Sequence, residues 1–146
     1  MELAGNKKAY FDYHQLETFE AGIVLTGAEV KAAKMGLVNL EGSYVTIRDG
    51  QAILRGMKIA RYPKSGRDQA AYVPDHDRVL LLNKREIGRI AGSLSTHGLT
   101  VVPLSVYSSK RLVKIKIALA RGKRKFDKRE AIKEKEFKRR LNSHSR

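Results

Sequence analysis

Asp75, His76 and Asp77 form a consecutive triplet of residue types that can ligate a metal or act as general bases. They lie between Pro74 and Arg78, and no second ligand cluster elsewhere completes a coordination sphere. The triplet reads as a solvated loop. His14, His97 and His144 stand singly, as surface or partly buried imidazoles ordinarily do. Gly88 to Gly92 (GRIAG) falls within a predicted helix and lacks the Lys-Ser/Thr that follows a phosphate loop. No serine stands beside a plausible base. The absence of cysteine excludes disulfides, thiolate zinc sites and cysteine nucleophiles. The expectation is a protein without catalysis, metal or cofactor.

What the chain offers instead is positive charge. Thirty Lys and Arg face 15 Asp and Glu, a formal net charge of +15. A sequence pI near 10.2 favours polyanions, nucleic acid first and anionic membrane second. No run approaches the roughly 18 apolar residues of a spanning helix. Met1 to Lys8 lacks the apolar stretch of a signal peptide. Together with the missing cysteine, this composition fits a reducing cytoplasm.

The charge concentrates in two places. Lys114 and Lys116 alternate with apolar residues on a predicted strand, so two ammonium groups share one face, spaced for phosphates along a groove. The plainer alternative is an ordinary solvated strand face. Lys7, Lys8, Tyr10 and Tyr13 could add charge and a stacking surface. The second concentration is the C-terminal stretch. From Lys123 to Arg146, 11 Lys or Arg face 4 Asp or Glu, a net of +7. Such a segment has too little apolar surface to offset the entropy of ordering it. Asp127 and Glu130 can cap a helix here, while Glu134 with Lys138 and Glu136 with Arg140 pair at i,i+4. Each pair adds only about 0.2–0.5 kcal/mol. The expectation is a tail over residues 123–146 that is disordered alone and helical on an acidic partner. A permanently docked surface helix is the alternative.

The elements that must position these groups read as follows. Residues 1–8 are polar and expected to fray. Aromatic and β-branched residues from Ala9 to Leu25 predict an extended pair or a long bent strand, with Gly22 at a bulge or close approach. Thr26 with Glu29 forms a capping box for a helix over Ala28–Met35, ended by Gly36. Asp49-Gly50 between Ser43–Arg48 and Gln51–Ile59 is the strongest hairpin signal in the chain. Tyr62 to Asp77 reads as a long exposed loop. Val79–Leu82 is a short strand, and Asn83 with Glu86 caps a helix running to about Ser95. Leu99–Tyr107 and Leu112–Ala120 form a second pair, with Pro103 suited to an edge or bulge. In the last strand Val113, Ile115, Ile117 and Leu119 predict a buried face, and Lys114, Lys116, Ala118 and Ala120 an outer one.

Five or six short strands with two short helices make residues 1–122 a mainly β domain. The expected arrangement is a closed antiparallel barrel of the oligonucleotide-binding (OB) type, because closure removes the exposed edges. A half-open sandwich is the alternative.

Several blocks together resemble one family, the bacterial SsrA-binding proteins, also called small protein B, partners of transfer-messenger RNA. They are Asn6-Lys7-Lys8-Ala9 with Tyr13, FEAGIVLTGAEVKAAKMG from Phe19, VNLEGSYV from Val38 and LLLNKREI from Leu80. GLTVVPLSVY from Gly98, VKIKIALARGKRKFDKRE from Val113 and IKEKE from Ile132 complete the set, spanning about Asn6 to Arg140. The resemblance implies an OB barrel that binds the tRNA-like domain of transfer-messenger RNA. It also implies a tail that takes up helical structure in the vacant mRNA path beside the small-subunit RNA of stalled ribosomes. Matched position by position, it implies RNA contacts at Glu20, Leu81, Asn83 and Lys114, and the neighbouring Lys116 joins them on the basic face. Lys114 would pair with phosphate or a base edge, Asn83 with a base or ribose, and Leu81 with an unstacked base. Glu20 would accept from a guanine edge or brace a basic neighbour. The Asp127-Lys128-Arg129 motif and Lys133 match the family's decoding-centre tail signature. Phe126 stands where relatives often carry His or another ring, so stacking is retained and any polar role is not. Other readings are a basic ribosomal or ribosome-assembly protein, a single-strand binder and, from Asp75 to Asp77, a nuclease.

Overall fold

Asp49 and Gly50 take positive φ of 52° and 74°, as a type I′ turn demands. They join β4 (Tyr44–Arg48) to β5 (Gln51–Arg55) in the predicted hairpin. The computed structural model describes residues 1–64, 71–123 and 125–144, the last segment without the side chains of 125–127, 130–131 and 142–144. Three strands of 11 residues dominate: β2 (Tyr13–Ile23), β8 (Leu99–Ser109) and β9 (Leu112–Gly122). With β7 (Arg78–Leu81) they close a ring in which β8 pairs β4, then β5, β7, β2 and β9 follow, and β9 returns to β8. All pairings in the ring are antiparallel. Phe19, Val45, Leu54, Leu80, Ile115 and Ile117 fill its interior. Pro103 sits where the β8 register shifts, at a bulge. A short second sheet pairs β3 (Val38–Asn39) with β6 (Lys58–Ile59).

The capping boxes form as the sequence predicts. Thr26 and Glu29 exchange hydrogen bonds at the start of α2 (Gly27–Lys34), and Asn83 and Glu86 do so at α3 (Lys84–Leu94). Gly36 (φ 79°) follows α2 in the left-handed conformation.

Several expectations are corrected. Residues 1–8 are ordered: β1 (Glu2–Gly5) pairs with β8, and Asn6 is buried. Asn6 donates to the Pro103 carbonyl at 2.8 Å and accepts from Ala9 N–H, capping α1 (Lys7–Asp12). Ala9 to Asp12 are therefore helical, because a cap outweighs the modest strand preference of Tyr10 and Phe11. Ala118 and Ala120 are fully buried with Ala9, Val102 and Leu104, since methyl side chains let α1 lie close on the outer face. The loop before Asp77 is not wholly solvated, as Tyr72 and His76 both reach Glu29; the part over residues 65–70 lies outside the described residues. Gly22 makes a close approach, and the β2 bulge falls between Gln15 and Glu17 instead.

The C-terminal stretch forms α4 (Lys125–His144), so Asp127 lies within its first turn and not ahead of it. At its root the Lys123 amide donates to the Asp12 carbonyl at 2.7 Å, and Lys128 Nζ pairs with Asp12 Oδ1 at 3.2 Å.

Candidate nucleic-acid interface

The ring registers four strands into one row. Leu81 lies opposite Gly22, Gly22 opposite Lys114, and Lys114 opposite Tyr107. Two residues along, Glu20 lies opposite Lys116, which lies opposite Ser105. A step of two returns to the same face, so both rows point outward. Helix α1 packs on the end of this face held by Val102, Leu104, Ala118 and Ala120, and the Lys114 end stays open. Among the predicted contacts, Glu20, Leu81, Lys114 and Lys116 are thus brought onto one surface.

Charge on this surface is organised. Lys114 Nζ donates to Glu20 Oε1 at 2.8 Å. Lys114, and more weakly Tyr107, hold the Glu20 carboxyl below its ordinary value. Burial, then the neighbouring carboxylate, pushes the Tyr107 hydroxyl up to about 12, so it stays protonated as a donor. The carboxylate braces Lys114, and an arriving phosphate would compete with it for the same ammonium. Tyr107 was missed in the sequence. Its only signal was the alternation of its strand, which does not reveal the register with Lys114.

Asn83 lies two residues beyond β7, exposed at the N-cap of α3. Its Oδ1 accepts from the Glu86 amide at 2.8 Å, which leaves the side-chain NH2 for a ligand. Asn83→Ala is expected to cost about 1 kcal/mol of stability and to weaken RNA binding as well. Asn83→Ser keeps the cap and removes the amide donor. Thermal melts beside RNA titrations separate the two jobs: Ser should melt like the parent and bind more weakly, and parental binding would make Asn83 a cap alone.

The tail residues lie elsewhere. Lys114 stands eight residues before the end of β9 at Gly122, about 26 Å along an extended strand. Beyond it Lys128 is half-buried against Asp12, while Arg129 and Lys133 are exposed. The side chains of Phe126 and Asp127 lie outside the described residues.

Of the Asp75–Asp77 triplet, Asp75 is exposed, while His76 and Asp77 make structural contacts. His76 Nε2 meets Glu29 Oε2 at 2.9 Å, and Asp77 Oδ1 pairs with Arg55 at 3.3 Å. Gly88 to Gly92 lie inside α3. Among the described residues, no helix is long and apolar enough to cross a membrane.

A ring of strands with an open cationic face and a basic terminal helix defines a small β protein built to hold a polyanion. The SmpB protein family matches residues 3–146, and the chain belongs to that family. It is 49% identical over 139 residues to an SsrA-binding protein of Persephonella marina, covering 95% of this chain and 90% of the relative. With an SsrA-binding protein of Thermosipho africanus it shares 43% identity, over 97% and 95% of the two chains. Among solved structures, it resembles a chain from "tmRNA-SmpB: a journey to the center of the bacterial ribosome". That likeness has a TM-score of 0.70 and 41% identity, covering 88% of this chain and 93% of the other.

Proposed function

We propose that this protein binds the tRNA-like domain of transfer-messenger RNA and delivers it to the A site of stalled ribosomes for trans-translation. The observation that carries this is the open outer face that gathers Leu81, Lys114, Lys116 and Glu20 on a chain of the SmpB family. Relatives named for SsrA binding, and a structural neighbour described with tmRNA on the ribosome, support the same reading.

In this reading the strand ring is a closed OB-type barrel, and residues 1–122 and 123–146 work as separate units. The barrel holds the RNA. The tail loses its helix when free, regains it in the vacant mRNA path along small-subunit RNA, and presents Phe126, Asp127, Lys128, Arg129 and Lys133 there. The protein supplies binding energy and position but no catalysis, and it acts in the cytoplasm.

The direct test is to recover tagged protein from cells and sequence the RNA bound to it, then titrate the isolated tRNA-like domain. Tight binding to that domain is expected. Indifference to it, with binding to ribosomal RNA, would favour a ribosomal or ribosome-assembly protein. Lys114→Gln leaves one phosphate without its cation. It is expected to weaken binding and to lower the slope of log K against log salt by about 0.7–0.9. An unchanged slope would make Lys114 a solvated strand residue.

A further inference from the structure

Two contacts from the start of the C-terminal stretch converge on one residue, Asp12. Its carbonyl accepts from the Lys123 amide at 2.7 Å, and its carboxylate holds Lys128 Nζ at 3.2 Å. We infer that Asp12 restrains the tail: it keeps Lys128 occupied in the free protein and gives way when RNA phosphates take that ammonium. The inference rests on the RNA-binding reading above.

The place of the carboxylate is the first reason. Asp12 is the last residue of α1, at the negative end of the helix dipole, where an acid is disfavoured. No basic residue in the last turn of α1 offsets it, and Lys8 of the first turn meets Glu41 instead, at 3.8 Å. Among the described residues, the cation that pairs with Asp12 is Lys128, from the far end of the chain. Geometry is the second reason. Lys123 and Lys128 flank the entry into α4, so the two ties fix where the helix starts and which side it turns to the body. Lys128 is half-buried there, while Arg129 and Lys133 are exposed. The ties end with the first turn, and the rest of the tail stays free to lose and regain its helix.

Charge gives the restraint its use. From Lys123 onward the chain carries a net of +7, and such a segment attracts any polyanion whatever its sequence. A carboxylate competing for Lys128 opposes every such capture by the same factor, at most about fivefold for a partly exposed pair. That opposition matters for RNA met in solution. It matters little once RNA on the strand ring has brought the tail to its site. Tail binding is then intramolecular, at an effective concentration that a short link can raise to the millimolar range. The restraint therefore favours engagement of the tail after the strand ring has bound, and disfavours it before.

Asp12→Asn tests this in the full chain, since it removes the charge and leaves the backbone carbonyl that receives Lys123. Affinity for a single-stranded oligouridine, read by fluorescence anisotropy, should rise about 2- to 5-fold. Losing any acid aids RNA binding to some degree, so the measurement is made as a cycle with Lys128→Gln. In that background the same Asp12→Asn change should gain less than about half as much. Asp12→Glu keeps a carboxylate within reach and should bind like the parent. Amide 15N relaxation supplies a readout that needs no RNA: Asp12→Asn should make the amides of residues 128–133 more mobile and leave those of β9 unchanged. Equal gains in both backgrounds, or unchanged mobility of the tail root, would overturn the restraint and leave the RNA-binding reading standing. If the parent chain binds neither oligouridine nor the tRNA-like domain, that reading falls, and the mobility measurement alone decides whether Asp12 holds the tail.

Discussion

Arg78→Ala is expected to cost about 3–5 kcal/mol of folding stability, a large share of the roughly 5–15 kcal/mol a domain has. The Arg78 side chain is fully buried and that of Glu29 is 2% exposed. Arg78 Nε and Nη2 both donate to Glu29 Oε2, at 2.9 and 2.8 Å. The remaining N–H groups reach the carbonyls of Met57, Pro74 and His76, at 2.6, 2.8 and 3.1 Å. Tyr72 closes the cluster by donating to Ile59 O at 2.8 Å and lying 3.2 Å from Glu29 Oε2. Alanine would leave a nearly dry carboxylate without its cation and the Met57 and His76 carbonyls without the guanidinium donor, while the Pro74 carbonyl keeps the Ile59 amide, which is why removing one partner is so costly. Lysine keeps the charge but cannot span those acceptors with one ammonium, so it should fall between. Urea denaturation measures the series; a loss below about 1 kcal/mol would match an exposed ion pair and sink the account.

The same network sets a pH dependence. Burial alone would raise the Glu29 pKa, but the Thr26 amide, Arg78 and His76 outweigh it, and the group sits below its ordinary value of 4.5. A carboxylate with a depressed folded pKa contributes stability that is present above its unfolded pKa. That contribution is lost as pH falls through the folded pKa. Unfolding free energy should therefore decline below the ordinary carboxylate range, and Arg78→Ala should flatten that decline. The cluster also matters to the RNA face. Arg78 opens β7, three residues before Leu81 and five before Asn83, while Val30 next to Glu29 lines a hollow beside Leu81 and Lys114.

What could be read in the sequence was what is local. The Asp49-Gly50 turn, both capping boxes and the glycine after α2 each depend on neighbours within four residues, and all four form. What escaped was decided at long range. Arg78 fell between the predicted loop and strand without a role, because its partner lies 49 residues away. Ala118 and Ala120 alternated with apolar residues and so read as solvent-facing, and only the fold brings α1 over them. The N-terminus looked frayed because Asn6 finds its partners, Leu40 and Pro103, 34 and 97 residues on. The site divides in the same way. Alternation along one strand was enough for the Lys114 and Lys116 face. Glu20, Leu81 and Asn83 came from family resemblance, and it is the register across β7, β2 and β9 that sets the first two beside Lys114. Tyr107 needs that same register, which no stretch of sequence displays.

A chain ending at Lys123 is expected to hold transfer-messenger RNA nearly as tightly as the full chain and to lose tagging of stalled nascent chains altogether. The cut belongs there because β9 runs to Gly122 and the Lys123 amide still bonds to Asp12; ending at Ala120 would shorten a ring strand. The strand ring keeps its whole outer face, since Glu20, Leu81 and Lys114 lie far from the root of α4. What the cut removes is a helix of 20 residues, about 30 Å long, with exposed Ile132, Phe137 and Leu141 and the cations Arg129 and Lys133. Within the described part, the root is tied to α1 by the Lys128–Asp12 pair and the Lys123 amide, and a half-exposed pair of this kind is worth about 1 kcal/mol at most. Ribosomal phosphates can therefore displace it at little cost, which suits the work in the mRNA path proposed for the tail. Filter binding of the tRNA-like domain and a tagging assay on truncated messages read the two activities separately. Equal loss of both would mean that tail and strand ring bind one RNA surface together, and the separation of address from probe would be wrong.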